Sequence, residues 1–301
     1  MPDGLLIVVI AGLVATACGL IGPFLVLRRM ALLSDAVSHA VLPGIVAVWL
    51  VAHTRAPLPV IVGAAAFGVL CVLGIDALRA TGLVASDAAI ALVFPALFSL
   101  GVIGVTRYAD GIHLDLDSTI YGEIAFVPFD TVWFGGYEVA RSGLVLAGVV
   151  LLNLLLVGLL WKELKATTFD PQFGATVRLH PRLLSRLLLV AAAVTAVAAF
   201  DAVGAILVVT LLIVPAATAY LLTDRLVVMV ALAVGIGWVG AAIGYAVALP
   251  LDSSIAGAMG LVCTACFVLA LVASPRHGLI RRLLRRRASP APAPAHPARA
   301  A

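Results

Sequence analysis

Long apolar runs alternate with short polar connectors over almost the whole chain. The runs are about 17–23 residues long, the length at which an α-helix crosses a hydrocarbon layer of about 30 Å. They fall at 5–27, 34–53, 59–78, 88–106, 139–161, 183–200, 203–222, 226–248 and 254–273. The residue-by-residue alternation of a membrane β-barrel is missing. The pattern predicts an all-α, polytopic helical membrane protein with about nine transmembrane helices. Its weakest joint lies within 183–222, where only Asp201 and its neighbours interrupt the apolar sequence. Eight spans plus a re-entrant segment is the alternative there. The stretch GIGWVGAAIGY at 235–245 predicts close helix packing through small residues.

Composition agrees with the pattern, since 63% of residues are apolar and 11% are charged. That balance excludes a soluble globule. The formal net charge of +4 matters less than where the charges lie. Arg28, Arg29, Arg79, the Lys162–Arg186 segment, Arg225 and the Arg276–Arg287 run fall on one side of the spans, against Arg55, Arg107 and Arg141 on the other. The positive-inside rule makes the richer side cytoplasmic, with the N-terminus outside and the C-terminus inside. The basic residues thus fix orientation and do not imply nucleic acid. The Arg276–Arg287 run reads as an inner-leaflet anchor. Residues 1–287 form one transmembrane domain, and the Pro/Ala-rich residues 288–301 a disordered cytoplasmic tail. The opening MPDG has no Lys or Arg ahead of the apolar run, so the first run reads as a span and not as a signal peptide.

Candidate chemistry is sparse. Cys18, Cys71, Cys263 and Cys266 lie in or near apolar spans and read as small buried residues. There is no G-x-x-x-x-G-K-[ST], no H-E-x-x-H and no G-x-S-x-G. The chain reads as a conduit and not as an enzyme.

The informative stretch is RRMALLSDAVSHAVLPG at 28–44. In a helix Asp35 and His39 stand at i and i+4 and share one face. An Asp and a His so placed make half of a first-row metal site, and ionisable groups inside lipid are costly without a function. A helix continuous from Arg29 would place them about 9 and 15 Å inward. The plainer reading makes Asp35 a first-turn carboxylate beside an N-cap Ser34, and His39 a neutral histidine bonded to a neighbouring helix.

Two connectors are long enough to carry function. The outer one, about 107–138, holds Asp110, His113, Asp115, Asp117, Glu123, Asp130 and Glu138 against Arg107 alone. It is either an acidic mouth that concentrates cations or an ordinary solvated loop. Its part from Ile120 to Phe129 is too apolar for solvent and should lie at the interface or dip into the protein. In the inner connector, about 162–182, Thr168 or Asp170 can cap a short helix with Pro171 in its first turn, suited to docking a partner.

Four blocks together carry a resemblance: FLVLRRMALLSDAVSHAVLPG (24–44), DLDSTIYGEIAFVPFD (115–130), WKELKATTFDPQFG (161–174) and GAILVVTLLIVPAATAYLLTDR (204–225). They resemble the membrane permeases of manganese/zinc/iron ABC importers. The resemblance implies a type II importer permease in a bacterial plasma membrane, paired with a second copy or a paralogue. It implies an extracytoplasmic metal-binding lipoprotein above, and cytoplasmic ATP-binding subunits docked on Phe169, Asp170 and Pro171. Its D-x-x-x-H motif makes Asp35 and His39 metal ligands in the pathway. No covalently bound cofactor is implied, and the divalent metal is the cargo. The wording YGEIAFVP is more similar to the manganese and iron branch, so Mn²⁺ is expected ahead of Zn²⁺ or Fe²⁺. One departure is visible: 175–180 lacks the glycine that often ends the coupling segment in such permeases. A secondary metal transporter or channel, and a siderophore- or cobalamin-type permease, are the competing readings.

Overall fold

A computed structural model describes residues 3–30, 32–53, 57–108, 124–134 and 137–274. Four long helices come first: α1 (Asp3–Leu27), α2 (Leu33–Ala52), α3 (Pro57–Ala80) and α4 (Ser86–Tyr108). A 3₁₀ turn, Ile124–Phe129, leads into a hairpin of β1 (Thr131–Phe134) and β2 (Tyr137–Ala140). Then follow α5 (Arg141–Leu159), the short α6 (Trp161–Phe169) and α7 (Pro171–Thr176), and α8 (Pro181–Val203). The chain closes with α9 (Ala205–Leu222), α10 (Leu226–Ala248) and α11 (Ile255–Ala273). Among the described residues nine of these helices are long and apolar enough to span a membrane. All nine coincide with the expected runs to within a few residues.

The doubtful joint resolves into two helices. α8 ends at Val203, α9 begins at Ala205, and Gly204 alone turns the chain at φ 78° and ψ 162°. Only glycine enters that region without a steric penalty, so one residue suffices to end one helix and begin the next. The antiparallel hairpin, paired from Thr131↔Ala140 to Phe134↔Tyr137, was not expected. Its sequence TVWF opposite YEVA is rich in β-branched and aromatic residues, which suit a short ladder. It also moves the start of α5 to Arg141. Of the apolar stretch before it, Ile124 and Val127 are buried in the core while Phe126 and Phe129 are exposed, and residues 120–123 lie outside the described residues.

α1 and α8 form the centre of the bundle, and their apolar side chains supply much of the buried core. Small residues set the spacing between neighbours, as lipid-embedded helices require. A methyl group at Gly237 would lie 2.7 Å from Ala15 Cβ, so α10 packs on α1 through a bare backbone. The helix carrying Asp35 and His39 is seated in the same way. Added carbons at Gly44 and Gly101 would lie 2.6 Å from the Gly63 carbonyl oxygen and 2.8 Å from Pro43 N, so α2 fits closely against α3 and α4.

One buried polar cluster bridges three helices. Asn153 of α5, fully buried, donates through Nδ2 to Thr195 Oγ1 of α8 at 2.8 Å and to the Ala17 carbonyl of α1 at 3.3 Å. Ion pairs stand at both ends. Arg186 Nε meets Asp76 Oδ2 at 2.7 Å, joining α8 to α3. Arg141 at the start of α5 reaches Asp201 Oδ2 at 3.0 Å and Asp130 Oδ2 at 3.6 Å, fixing the hairpin to the C-terminal end of α8.

Candidate functional site

α1 does not run on into α2. Arg29 N donates to the Val26 carbonyl at 3.1 Å, and Met30 N to the Leu25 carbonyl at 2.9 Å. These two bonds are the Schellman closure of a helix end, with Arg29 as its left-handed residue at φ 58°. α2 starts afresh at Leu33, behind an N-cap Leu32 that makes no side-chain cap bond. This corrects two expectations. Ser34 lies inside the helix and is not its cap. Depth along the helix counts from Leu33, not from Arg29, so Asp35 stands about 3 Å and His39 about 9 Å along it.

The i, i+4 pairing itself holds. His39 Nε2 and Asp35 Oδ1 are 3.9 Å apart, too far for a hydrogen bond. Two ligands of one ion, with bonds of about 2.1 Å, stand roughly 3.0–4.2 Å apart as their angle opens from 90° to 180°. The observed gap falls inside that window. The side chains are 46% and 55% exposed, on a face of α2 that the chain's own helices leave open. The imidazole stacks on Phe94 of α4, with centroids 5.3 Å apart and planes at 24°, and meets Phe98 edge-on at 5.7 Å. Among the described residues its ring neighbours are thus Phe94 and Phe98 of α4, where the plainer reading expected a hydrogen-bonding helix. Pro43, one turn on, has no N–H to offer the His39 carbonyl. Among the described residues no three His, Cys, Asp or Glu side chains converge. Among the described residues one chain thus brings two side chains of ligating type together here.

The inner connector holds two short helices where one was expected. α6 continues from α5 after a break at Leu160, with Leu164 buried beneath it and Trp161 edge-on to Phe24 of α1 at 6.1 Å. Asp170 then caps α7, its Oδ1 accepting from Phe173 N at 2.9 Å, with Pro171 in the first turn. Phe169 and Phe173 are each 57% exposed and project from this cap. The missing glycine has a structural counterpart. Arg178 takes the left-handed position at φ 60°, while Arg178 N donates to the Ala175 carbonyl at 3.2 Å and Leu179 N to the Gly174 carbonyl at 3.0 Å. The turn forms without glycine, at a steric cost that glycine would avoid.

Asp110, His113, Asp115, Asp117, Glu123 and the tail 288–301 lie outside the described residues. Of the outer acids that are described, Asp130 is taken by Arg141. The contacts of Phe94 and Phe98 with His39 were missed in the sequence. The two phenylalanines share a face of α4 at i, i+4, the one pattern that hints at a joint role.

A family model described as the ABC 3 transport family matches residues 5–274. The chain belongs to that family. It is 44% identical over 274 residues to the manganese transport system membrane protein MntD of Bacillus subtilis, covering 91% of this chain and 92% of that one. It is also 44% identical over 282 residues to the zinc transport system membrane protein TroD of Treponema pallidum, covering 94% and 77%. Among solved structures, PsaBC from Streptococcus pneumoniae in complex with Fab is similar, with a TM-score of 0.76, 26% identity, and 95% and 96% coverage. The ABC 3 chain described here is accordingly a membrane permease subunit of a transport system, and not an enzyme.

Proposed function

We propose that this permease is the membrane-spanning half of an ATP-driven importer that carries a divalent transition metal, Mn²⁺ ahead of Zn²⁺ and Fe²⁺, into the cytoplasm. The observation that carries the reading is the Asp35–His39 pair on the open face of α2, at a separation one ion can bridge. A neutral imidazole and a carboxylate suit these metals, whereas a soft thiolate set would suit Cu(I). The manganese and zinc systems named for its 44%-identical relatives support the same cargo class.

Two ligands per chain leave the ion half-coordinated, so a second permease copy or a paralogue across the open face would complete the site. An incomplete, partly hydrated site also releases its ion readily, as transport requires. The basic end, with Arg28, Arg79 and Arg225, faces the cytoplasm of a bacterial plasma membrane. There Phe169, Asp170 and Pro171 meet the ATP-binding subunits. At the opposite end a metal-binding lipoprotein delivers its cargo to a mouth bearing Asp110, His113, Asp115, Asp117 and Glu123.

The test is uptake of radiolabelled Mn²⁺, with Zn²⁺ and Fe²⁺ as competitors, in a strain lacking the native permease. Asp35→Asn removes charge while keeping shape, and His39→Leu removes the nitrogen ligand. Each should abolish uptake while membrane insertion and ATPase assembly persist. Normal uptake by both variants would sink the site assignment. Uptake indifferent to ATP would sink the importer.

A further inference from the structure

Elements 140 residues apart are tied together at the basic end of the bundle. Arg28, the residue after α1, donates from Nε to Thr168 Oγ1 and from Nη2 to Thr167 Oγ1, each at 3.1 Å. Thr167 is itself held, since its hydroxyl donates to the Glu163 carbonyl at 2.8 Å and the residue is buried in the last turn of α6. Phe169 and the cap Asp170 follow at once. On the other side of the guanidinium, the backbone of Arg28 enters the turn closed by Arg29 N and Met30 N, and Met30 is buried at 5% exposure. Three residues later α2 begins, and Asp35 stands in its first turn.

The geometry points to Arg28 as the positioning residue that couples the docking segment to the metal-bearing helix. This rests on the importer reading above. Thr167 and Thr168 adjoin the exposed Phe169 and move with it. The turn from Arg28 to Met30 is pinned by two backbone hydrogen bonds and one buried side chain, so it transmits a push instead of absorbing it. A guanidinium suits this work. It stays charged although burial lowers its pKa, and its planar fork spans two adjacent hydroxyls at once. The partners are neutral hydroxyls, which bind more weakly than a carboxylate would and allow the contact to re-form in another geometry. The open face carrying Asp35 and His39 would then respond to displacements of α6 and α7.

The experiment uses the permease assembled with its ATP-binding subunits in proteoliposomes, recording Mn²⁺ uptake and ATP turnover together. Arg28→Gln and the double variant Thr167→Val/Thr168→Val each remove the link from one side. Both should keep ATPase co-purification and ATP turnover within about twofold of wild type. Metal carried per ATP hydrolysed should fall at least tenfold, and combining the two sets should add nothing further. Arg28→Lys keeps the charge but loses the fork, and should recover only part of the ratio. An unchanged ratio in both sets would overturn the proposal. Parallel loss of uptake and turnover would also overturn it, because the contact would then serve folding or docking alone. Wild-type liposomes that carry no divalent metal on ATP addition would instead refute the importer reading.

Discussion

The His39 imidazole lies against the ring of Phe94, centroids 5.3 Å apart and 24° from parallel, while Phe98 closes the adjacent side at 5.7 Å. Aromatic pairs of this kind contribute about 0.5–1.5 kcal/mol beyond area burial. Held this way, the ring keeps its Nε2 turned toward Asp35 without a hydrogen bond to fix it. Phe94→Leu keeps an apolar side chain and removes the stacking face. The expected result is a rise of about 2- to 12-fold in the half-saturating metal concentration, the same energy range expressed as affinity, with little change in maximal uptake. Uptake titrated against free Mn²⁺ checks it, and Phe94→Tyr should behave as wild type.

The outer acids make a prediction of a different kind. Joint replacement of Asp110, Asp115 and Asp117 by Asn should slow uptake more at low than at high ionic strength, because exposed charges steer cations over roughly a Debye length, about 8–10 Å in ordinary buffers. Uptake rates measured across a salt series check it. A defect of the same size at every salt concentration would assign these residues to local structure instead.

The spans were legible because lipid leaves a backbone few options: a run of sufficient length must satisfy its hydrogen bonds within a helix. The Asp35–His39 pair was legible because its spacing is local. What the chain hid was of two kinds. Contacts between distant segments leave no mark on either, so neither Phe94 beside His39 nor Arg28 on Thr167 and Thr168 has a signature in spacing. Backbone reversals at unexpected residues are the second kind. Arg29 and Arg178 both hold left-handed turns where glycine is the usual signal, and the first of these shortened the estimated depth of Asp35 and His39. The Gly204 joint carried the right residue but only one of it, which is why a re-entrant segment remained open beside two full spans.

Arg178 at φ 60° gives a stability prediction. A left-handed residue with a Cβ costs roughly 1–2 kcal/mol against glycine, offset in part by the greater freedom glycine has when unfolded. Arg178→Gly should therefore hold the α7 end more firmly, by up to about 1 kcal/mol. That is about fivefold slower hydrogen exchange at the amides of Arg178 and Leu179, which close the turn. Mass-spectrometric exchange on the detergent-solubilised permease reads it directly. Faster exchange would mean that the Arg178 side chain holds the turn in some other way.

Asp170 has two roles that a single alanine variant would merge. Its carboxylate caps α7 through Phe173 N at 2.9 Å, and it sits between exposed Phe169 and Pro171 where the ATP-binding subunit is proposed to dock. Loss of an N-cap typically costs about 1 kcal/mol, enough to fray a six-residue helix. Asp170→Ser restores a capping oxygen but removes the charge. If docking needs only a formed α7, Asp170→Ser should retain the ATP-binding subunit while Asp170→Ala loses it. If the charge itself is read by the partner, both should lose it, and the loss should deepen at high salt for wild type as well. Phe169→Ala leaves the cap bond untouched and removes the projecting ring, so it should weaken co-purification while α7 keeps its hydrogen-exchange protection. Retention of the subunit by Asp170→Ala and Phe169→Ala together would move the docking surface away from this segment.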